Sequence, residues 1–189
     1  VLLPVGEFEE HSLYLPVDTD TRIAKFLTDE IADEVKDDLP ILVMPPVWSG
    51  YTPKFVGKWP GAMRLHPQVF TDMVHGICAS LADMGFSHVV MIDCHGQHSL
   101  VMKISPELVR EDLFTDVDAM RYQTEFVGAD TALGGQKVTW SSWGIQKTVN
   151  GALGDPTKAS VETADVIINA VRKNFRKFLN QYYTFNLEE

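Results

Sequence analysis

The chain has 189 residues, of which 45% are hydrophobic, enough to form a full core in one domain. Its formal net charge of -10 argues against nucleic-acid partners, whose phosphates need a basic surface, and against anionic membrane surfaces. No apolar run approaches the ~20 residues of a membrane-spanning helix, and no secretory signal pattern opens the chain. We therefore expect a cytoplasmic protein without nucleic-acid or membrane partners. The two cysteines, Cys78 and Cys94, fit a reducing compartment better than a disulfide framework.

Hydrophobic patterns predict elements in the order strand, helix, strand, helix, strand. The apolar run at 1–5 is typical of a buried strand, and apolar side chains recur at helical spacing over 20–37. The continuous apolar run at 41–44 indicates a strand buried on both faces. A second helix is predicted over 67–85, and a further strand over 86–93. This order predicts an α/β domain with a mostly parallel sheet.

Carboxylates and an imidazole crowd the segment that follows the first strand. If the backbone stays extended there, Glu9 and His11 project from the same face, while Glu10 points away. A carboxylate and an imidazole that converge supply half of a site for a divalent ion such as zinc or manganese. Asp20, at the start of the first predicted helix, can supply a third ligand. An alternative stays open, in which Asp20 or Thr19 caps that helix and the two glutamates are solvated loop charges.

His95 follows the last strand of the predicted sheet. In open α/β sheets ligands bind beyond the carboxyl ends of the strands, where His95 and the Glu9–His11 pair would all lie. A strand-end histidine followed by glycine is more often a loop residue than a ligand. Opposite a Glu-x-His segment, however, it supplies the missing fourth group, so the combination favours a metal site.

Four short motifs follow one another along the chain: GEFEEHS at 6–12 with LP at 15–16 and TD at 19–20, WPGA at 59–62, DCHGQH at 93–98, and GALGDPTKA at 151–159. They match, in this order, Gly-Ser-x-Glu-Gln-His-Gly with Leu-Pro and Thr-Asp, Phe-Pro-Gly-Thr, Asn-Gly-His-Gly-Gly-Asn, and Gly-Val-x-Gly-Asp-Pro-x-x-Ala. These are motifs of the creatininase-like amidohydrolases. The chain therefore resembles that family over residues 1–98 and again over roughly 135–180.

The resemblance implies a single domain over 1–189 with a three-layer α/β/α fold, assembled as a homohexamer. It implies a hydrolase of C–N bonds other than ordinary peptide bonds, which cleaves a cyclic amide or related small molecule. The attacking group would be a hydroxide that bridges two Zn and/or Mn ions. When the ligand roles of the family are transferred to the matching positions, the resemblance implies that Glu9 and His95 bind one ion, that His11 binds the other, and that Asp20 bridges them.

Two departures from the family pattern leave the catalytic residues unassigned. Gln97, a neutral amide, stands where creatininase has a glutamate that completes the second metal site. The later family motif His-Ala-Gly-Glu-x-Glu-Thr-Ser, which supplies catalytic groups, is not found whole, and Ser99 would be its serine. Either the chain has lost a block between His98 and Ser99, or the intact protein is longer and carries that block with a glutamate ligand. We favour the longer protein, because the break falls inside two motifs that look intact on their outer sides.

Aromatic residues mark the loop at 47–64 as an active-site wall or a subunit contact. The segment at 138–144 is either a strand or an aromatic wall near the site, and a core or subunit-contact role is at least as well supported for its two tryptophans. Within them, Ser49 and Trp143 are candidate substrate contacts. Two alternatives to the leading function stay open. One is a peptidase-like or deformylase-like relative that cleaves an acyclic amide. The other is a binding or scaffold protein in which Gln97 and the incomplete motif have removed the chemistry.

Overall fold

The computed structural model describes residues 1–52, 59–95, 98–114, 127–128, 138–139 and 155–185. Its helices are α1 (Thr19–Val35), α2 (Pro67–Asp83), α3 (His98–Ile104) and α4 (Val161–Tyr183). Its strands are β1 (Leu2–Val5), β2 (Val90–Asp93), β3 (Val127–Gly128) and β4 (Val138–Thr139). Short 3₁₀ turns lie at Pro106–Leu108, Glu111–Leu113 and Pro156–Lys158.

β1 is the central strand of the main sheet. It pairs in parallel with β2, with Leu2 opposite Val90 and the last residue of each strand also paired. On its other side, isolated parallel bridges join β1 to Val43 and Val47. The two-residue strands β3 and β4 form a separate parallel pair. The chain that leaves β1 is therefore flanked by segments from both neighbours.

The prediction of a strand over 41–44 that is buried on both faces is wrong. Only Val43 bridges to β1 within this run, and Leu42 is 42% exposed. Pro45 and Pro46 lack backbone N–H groups, so a regular ladder stops at them, and proline is tolerated mainly at sheet edges. β2 is also shorter than the predicted strand over 86–93.

Helices cover both faces of the sheet. On one face, Leu2 packs in a cluster with Ile31 of α1 and Leu179 of α4. On the opposite face, Leu3 belongs to a cluster against which Phe70 of α2 packs, because successive strand residues point to opposite sides. The layers are therefore α2, the parallel sheet, and α1 with α4, which confirms the predicted three-layer α/β/α class.

The remaining core joins α1, α3 and α4 beside the end of the sheet. Tyr14, which is fully buried, packs there with Ile23 of α1, Leu100 of α3 and Ile168 of α4. This cluster fixes the first turn of α1 next to the segment that follows β1. In the described part of the chain, no helix is both long and apolar enough to cross a membrane.

Candidate metal centre

The segment that leaves β1 runs across the first turn of α1. A Cβ atom at Gly6 would lie 2.4 Å from the Cα atom of Thr21, closer than real contacts allow. Only glycine therefore lets the backbone pass so near the helix. Further along, the backbone N–H of Glu9 donates to the carbonyl of Val17 at 3.1 Å. These two contacts bring Glu9 beside Asp20, which lies in the first turn of α1.

Asp20 is completely buried and does not cap α1. The N-cap position belongs to Asp18, whose side chain makes no capping hydrogen bond. The hydroxyl of Thr19 donates instead to the carbonyl of Pro16 at 2.6 Å. The alternative in which Asp20 serves as a helix cap is therefore wrong, and its carboxylate is directed to other groups.

Four predicted ligands meet where the segments after β1 and β2 lie beside the first turn of α1, because parallel neighbours end at the same edge of the sheet. His11 Nε2 lies 3.0 Å from Asp20 Oδ1 and 3.8 Å from Glu9 Oε1. From the end of β2, His95 Nδ1 lies 3.6 Å from Asp20 Oδ2 and 3.7 Å from Glu9 Oε1. Glu9, His11, Asp20 and His95 thus form one cluster, and their role as ligands stays a prediction.

Glu7 belongs to the same cluster, and the sequence interpretation missed it. One ligand atom from each of Glu7, Glu9, Asp20 and His95 lies within 4.8 Å of the others. Glu7 is only 8% exposed, and the hydroxyl of Thr52 donates to its Oε1 at 2.5 Å. The signal was present in the sequence. Glu7 precedes Glu9 by two residues, so an extended backbone places both on one face.

Buried negative charge raises the pKa of both clustered histidines. The nearby Glu9 carboxylate, 3.7 Å from its Nδ1, raises the pKa of His95 to about 9, and the Asp20 charge acts in the same direction against burial. Burial lowers the pKa of His11, but the hydrogen bond and charge of Asp20 outweigh it and the net shift is upward. Burial also raises the pKa of the Glu7 carboxyl, against the hydrogen bond from Thr52. The cluster therefore favours a positive charge at its centre.

The chemistry of these side chains fits a divalent ion. Within the described ranges, Asp20 Oδ2 is a buried oxygen without a hydrogen-bond partner. A buried carboxylate oxygen left unpaired is costly, and a cation would satisfy it. Carboxylate oxygens and imidazole nitrogens are ligands that zinc and manganese accept. Cys94 is not among the residues whose ligand atoms lie together in the described part of the chain, and burial raises the pKa of its thiol to about 12.

The other predicted site residues either contribute no ligand atom to this cluster or lie outside the described residues. Ser49 is 5% exposed, and its hydroxyl has no hydrogen-bond partner in the described part of the chain. Trp143 and Gln97 lie outside the described residues. His98 and Ser99 are consecutive residues of α3, and this continuity does not test the prediction that a longer protein carries a block between them.

Comparison with known proteins identifies the family. The profile of the creatininase family, described as creatinine amidohydrolase, matches residues 1–103. The chain belongs to the creatininase family. The creatininase match includes Glu7, Glu9, His11, Asp20 and His95, so the whole cluster lies inside it.

Two curated relatives match part of this creatininase-family chain. The 3-dehydro-scyllo-inosose hydrolase of Thermotoga maritima is 28% identical over 101 residues, which are 53% of this chain and 31% of the relative. The mycofactocin precursor peptide peptidase of Mycolicibacterium smegmatis is 30% identical over 112 residues, which are 58% of this chain and 44% of the relative. The chain thus spans less than half the length of each of these relatives.

Solved creatininase structures share the fold. A structure named creatininase Mn has a TM-score of 0.76 at 16% identity, over 97% of this chain and 91% of that chain. A mutant creatininase of Zn–Zn type has a TM-score of 0.74 at 16% identity, over 97% of this chain and 90% of that chain. At these identities the likeness shows the fold alone.

Proposed function

We propose that this chain carries the metal-binding part of an amidohydrolase that cleaves a C–N bond of a cyclic amide or related small molecule. The observation that supports this function is the convergence of Glu9, His11, Asp20 and His95, with nitrogen–oxygen distances from 3.0 to 3.8 Å. They lie at the carboxyl edge of a parallel sheet, where α/β proteins bind their ligands. Membership of the creatininase family supports the same class of reaction.

Two divalent ions, Zn and/or Mn, are part of the proposal. Glu9 and His95 would hold one ion, His11 the other, and Asp20 would bridge them. The geometry of Asp20 supports the bridging role, because its Oδ1 faces His11 at 3.0 Å and its Oδ2 faces His95 at 3.6 Å. When bound, such ions polarise an amide carbonyl and lower the pKa of a water molecule. The catalytic acid and base are expected in the block proposed between His98 and Ser99.

A peptidase is the second candidate function. The relative that is 30% identical over 112 residues is named a precursor peptide peptidase. This observation favours an acyclic amide as substrate, with the same metal ligands and a different wall around the substrate.

We further propose a cytoplasmic homohexamer. Large hydrophobic side chains at the surface support an assembly in which a partner subunit would cover them. Trp48 is 54% exposed, Tyr51 48% and Met91 55%. The first two lie in the loop predicted to form either the substrate wall or a subunit contact.

One experiment on freshly purified protein tests the proposed function. The protein is sized by light scattering, its metal content per chain is measured by mass spectrometry, and hydrolysis is followed on cyclic amides, ureides, formamides and short peptides. We expect bound Zn or Mn, hydrolysis of at least one class that a chelator abolishes, and recovery when either metal is returned. Protein that neither contains nor binds these metals would contradict the proposal and favour the scaffold alternative. Hydrolysis confined to peptides would favour the second candidate.

A further inference from the structure

Glu7 occupies a position from which it can reach the centre of the cluster. It follows β1 by two residues, and its carboxylate shares the 4.8 Å neighbourhood of Glu9, Asp20 and His95. The family motif that this segment resembles has serine at the same position, so the carboxylate is a feature of this chain. A buried acidic side chain among other acidic side chains is unfavourable unless something positive lies between them.

A hydrogen bond from Thr52 orients the Glu7 carboxylate and leaves most of its oxygen lone pairs free to bind another group. Thr52 donates one hydrogen bond to Oε1 at 2.5 Å. An ionised carboxylate can accept about four hydrogen bonds, so most of its lone pairs stay available. The backbone at Gly50 also packs close to Oε1. A Cβ atom at Gly50 would lie 3.9 Å from this oxygen, which is an ordinary contact distance. A hydrogen bond that orients a carboxylate in this way is typical of the groups behind a metal ligand.

A second observation points to a ligand at this place. Asp20 is completely buried, and its Oδ2 has no hydrogen-bond partner within the described residues. This oxygen is directed toward the cluster, where it lies 3.6 Å from His95 Nδ1. The acidic cluster therefore contains an unsatisfied buried acceptor, and a cation at its centre would satisfy that acceptor.

The balance of charge gives Glu7 a specific role. Two divalent ions carry four positive charges, and Glu9 and Asp20 supply two negative ones. Gln97, at the position of the creatininase glutamate, is neutral. A third carboxylate at Glu7 reduces the surplus positive charge in a desolvated site and so strengthens binding of the ions.

We infer that Glu7 is a ligand of the metal centre and supplies the carboxylate that Gln97 does not. The inference rests on the proposed function, since it assumes that divalent ions bind at Glu9, Asp20 and His95. It does not depend on the identity of the substrate, whereas a glutamate in the proposed block after His98 would add a further negative charge to the same centre.

The test compares Glu7→Gln with wild-type protein and with Glu10→Gln as the matched control. Both variants remove one partly or fully buried carboxylate from the same segment and keep the size of the side chain. Zinc and manganese affinities are measured by competition with a coloured chelator, and the ions bound per chain are counted. We expect Glu7→Gln to weaken binding of at least one ion by about tenfold or more, and Glu10→Gln to change it by less than about threefold.

Two further variants keep the result interpretable. If Glu7→Gln does not fold, Glu7→Asp retains the charge on a shorter side chain and should still weaken binding. Thr52→Val removes only the orienting hydrogen bond and should weaken binding less than Glu7→Gln does. Wild-type protein that binds ions, with an equal count and affinity in Glu7→Gln, overturns the role of Glu7 alone. Wild-type protein that binds neither metal overturns this inference together with the proposed function.

Discussion

Asp20 is the residue on which the two clustered imidazoles converge. Its oxygens lie 3.0 Å from His11 Nε2 and 3.6 Å from His95 Nδ1, and no part of it is exposed. We expect Asp20→Asn to weaken zinc binding by at least about tenfold, because the amide removes the charge and replaces an acceptor by a donor. Glu10→Gln should retain most of the metal, since Glu10 is not among the clustered residues. Metal content of the two purified variants checks this, and equal losses would count against the bridging role.

At the scale of single residues, the sequence predicted the cluster well but incompletely. Because alternate residues of an extended backbone share a face, the sequence predicted that Glu9 and His11 lie together. Because neighbouring parallel strands end at the same edge, it predicted that His95 lies opposite them. The same alternation also includes Glu7, yet only the packing of Thr52 shows that this side chain turns inward and is buried. Burial depends on contacts between distant segments, and local spacing does not contain them. The roles proposed for Ser49 and Trp143 stay predictions.

Contact between Gly6 and α1 links the segment after β1 to the helix that carries Asp20. We expect Gly6→Ala to destabilise the protein by about 1–3 kcal/mol, because its Cβ would overlap backbone and force α1 to move. The same shift should weaken metal binding. Gly76→Ala is a suitable control, since nothing lies within 4 Å of a Cβ there. Gly76 lies inside α2, where alanine should stabilise by about 0.5–1 kcal/mol.

Denaturant unfolding with zinc and with a chelator measures both effects. Gly6→Ala should lower the free energy of unfolding in both conditions and should also reduce the gain that zinc provides. If Gly6→Ala and Gly76→Ala behaved alike, the close approach of segment and helix would not matter for stability.

Among the elements, the helices were easier to predict than the strands. α1 and α2 have apolar side chains at helical spacing, and Pro67 and Gly85 mark the limits of α2. The run at 41–44 is apolar throughout, which is a pattern shared by buried strands and by irregular edges. Its backbone does contact β1, but the two prolines that follow prevent a regular ladder. The apolar run at 41–44 therefore predicted correctly that this segment lies beside β1, and wrongly that it forms a regular strand.

At the scale of the whole molecule, the order of elements sufficed to predict an α/β domain with a mostly parallel sheet, and the family resemblance implied its three layers. The periodicity distinguished helices from strands, and right-handed parallel connections then leave few arrangements. The single domain over 1–189, the block between His98 and Ser99 and the hexamer stay predictions. The local pattern of this sequence does not carry information about residues that are absent from it or about contacts with other subunits, so it cannot test these three predictions.

The pairing of β1 with β2 also has a kinetic consequence. The paired residues Leu2 and Val90 are 88 positions apart in the chain, and Glu9 and His95 are 86 apart, so they meet only after a long loop has closed. A bound ion would cross-link the two ends of that loop. Because the cross-link forms late, it should be absent from the folding transition state. We therefore expect zinc to slow unfolding by the full factor of its stabilisation and to leave the refolding rate almost unchanged.

Stopped-flow chevron plots, recorded with zinc and with a chelator, measure both rates. Faster refolding in zinc, with unfolding unaffected, would show that the ion binds before the strands pair. With the expected result, the metal would stabilise the sheet only after β1 and β2 have paired. Loss of the ion would then shorten the lifetime of the folded chain and would not impair its ability to fold.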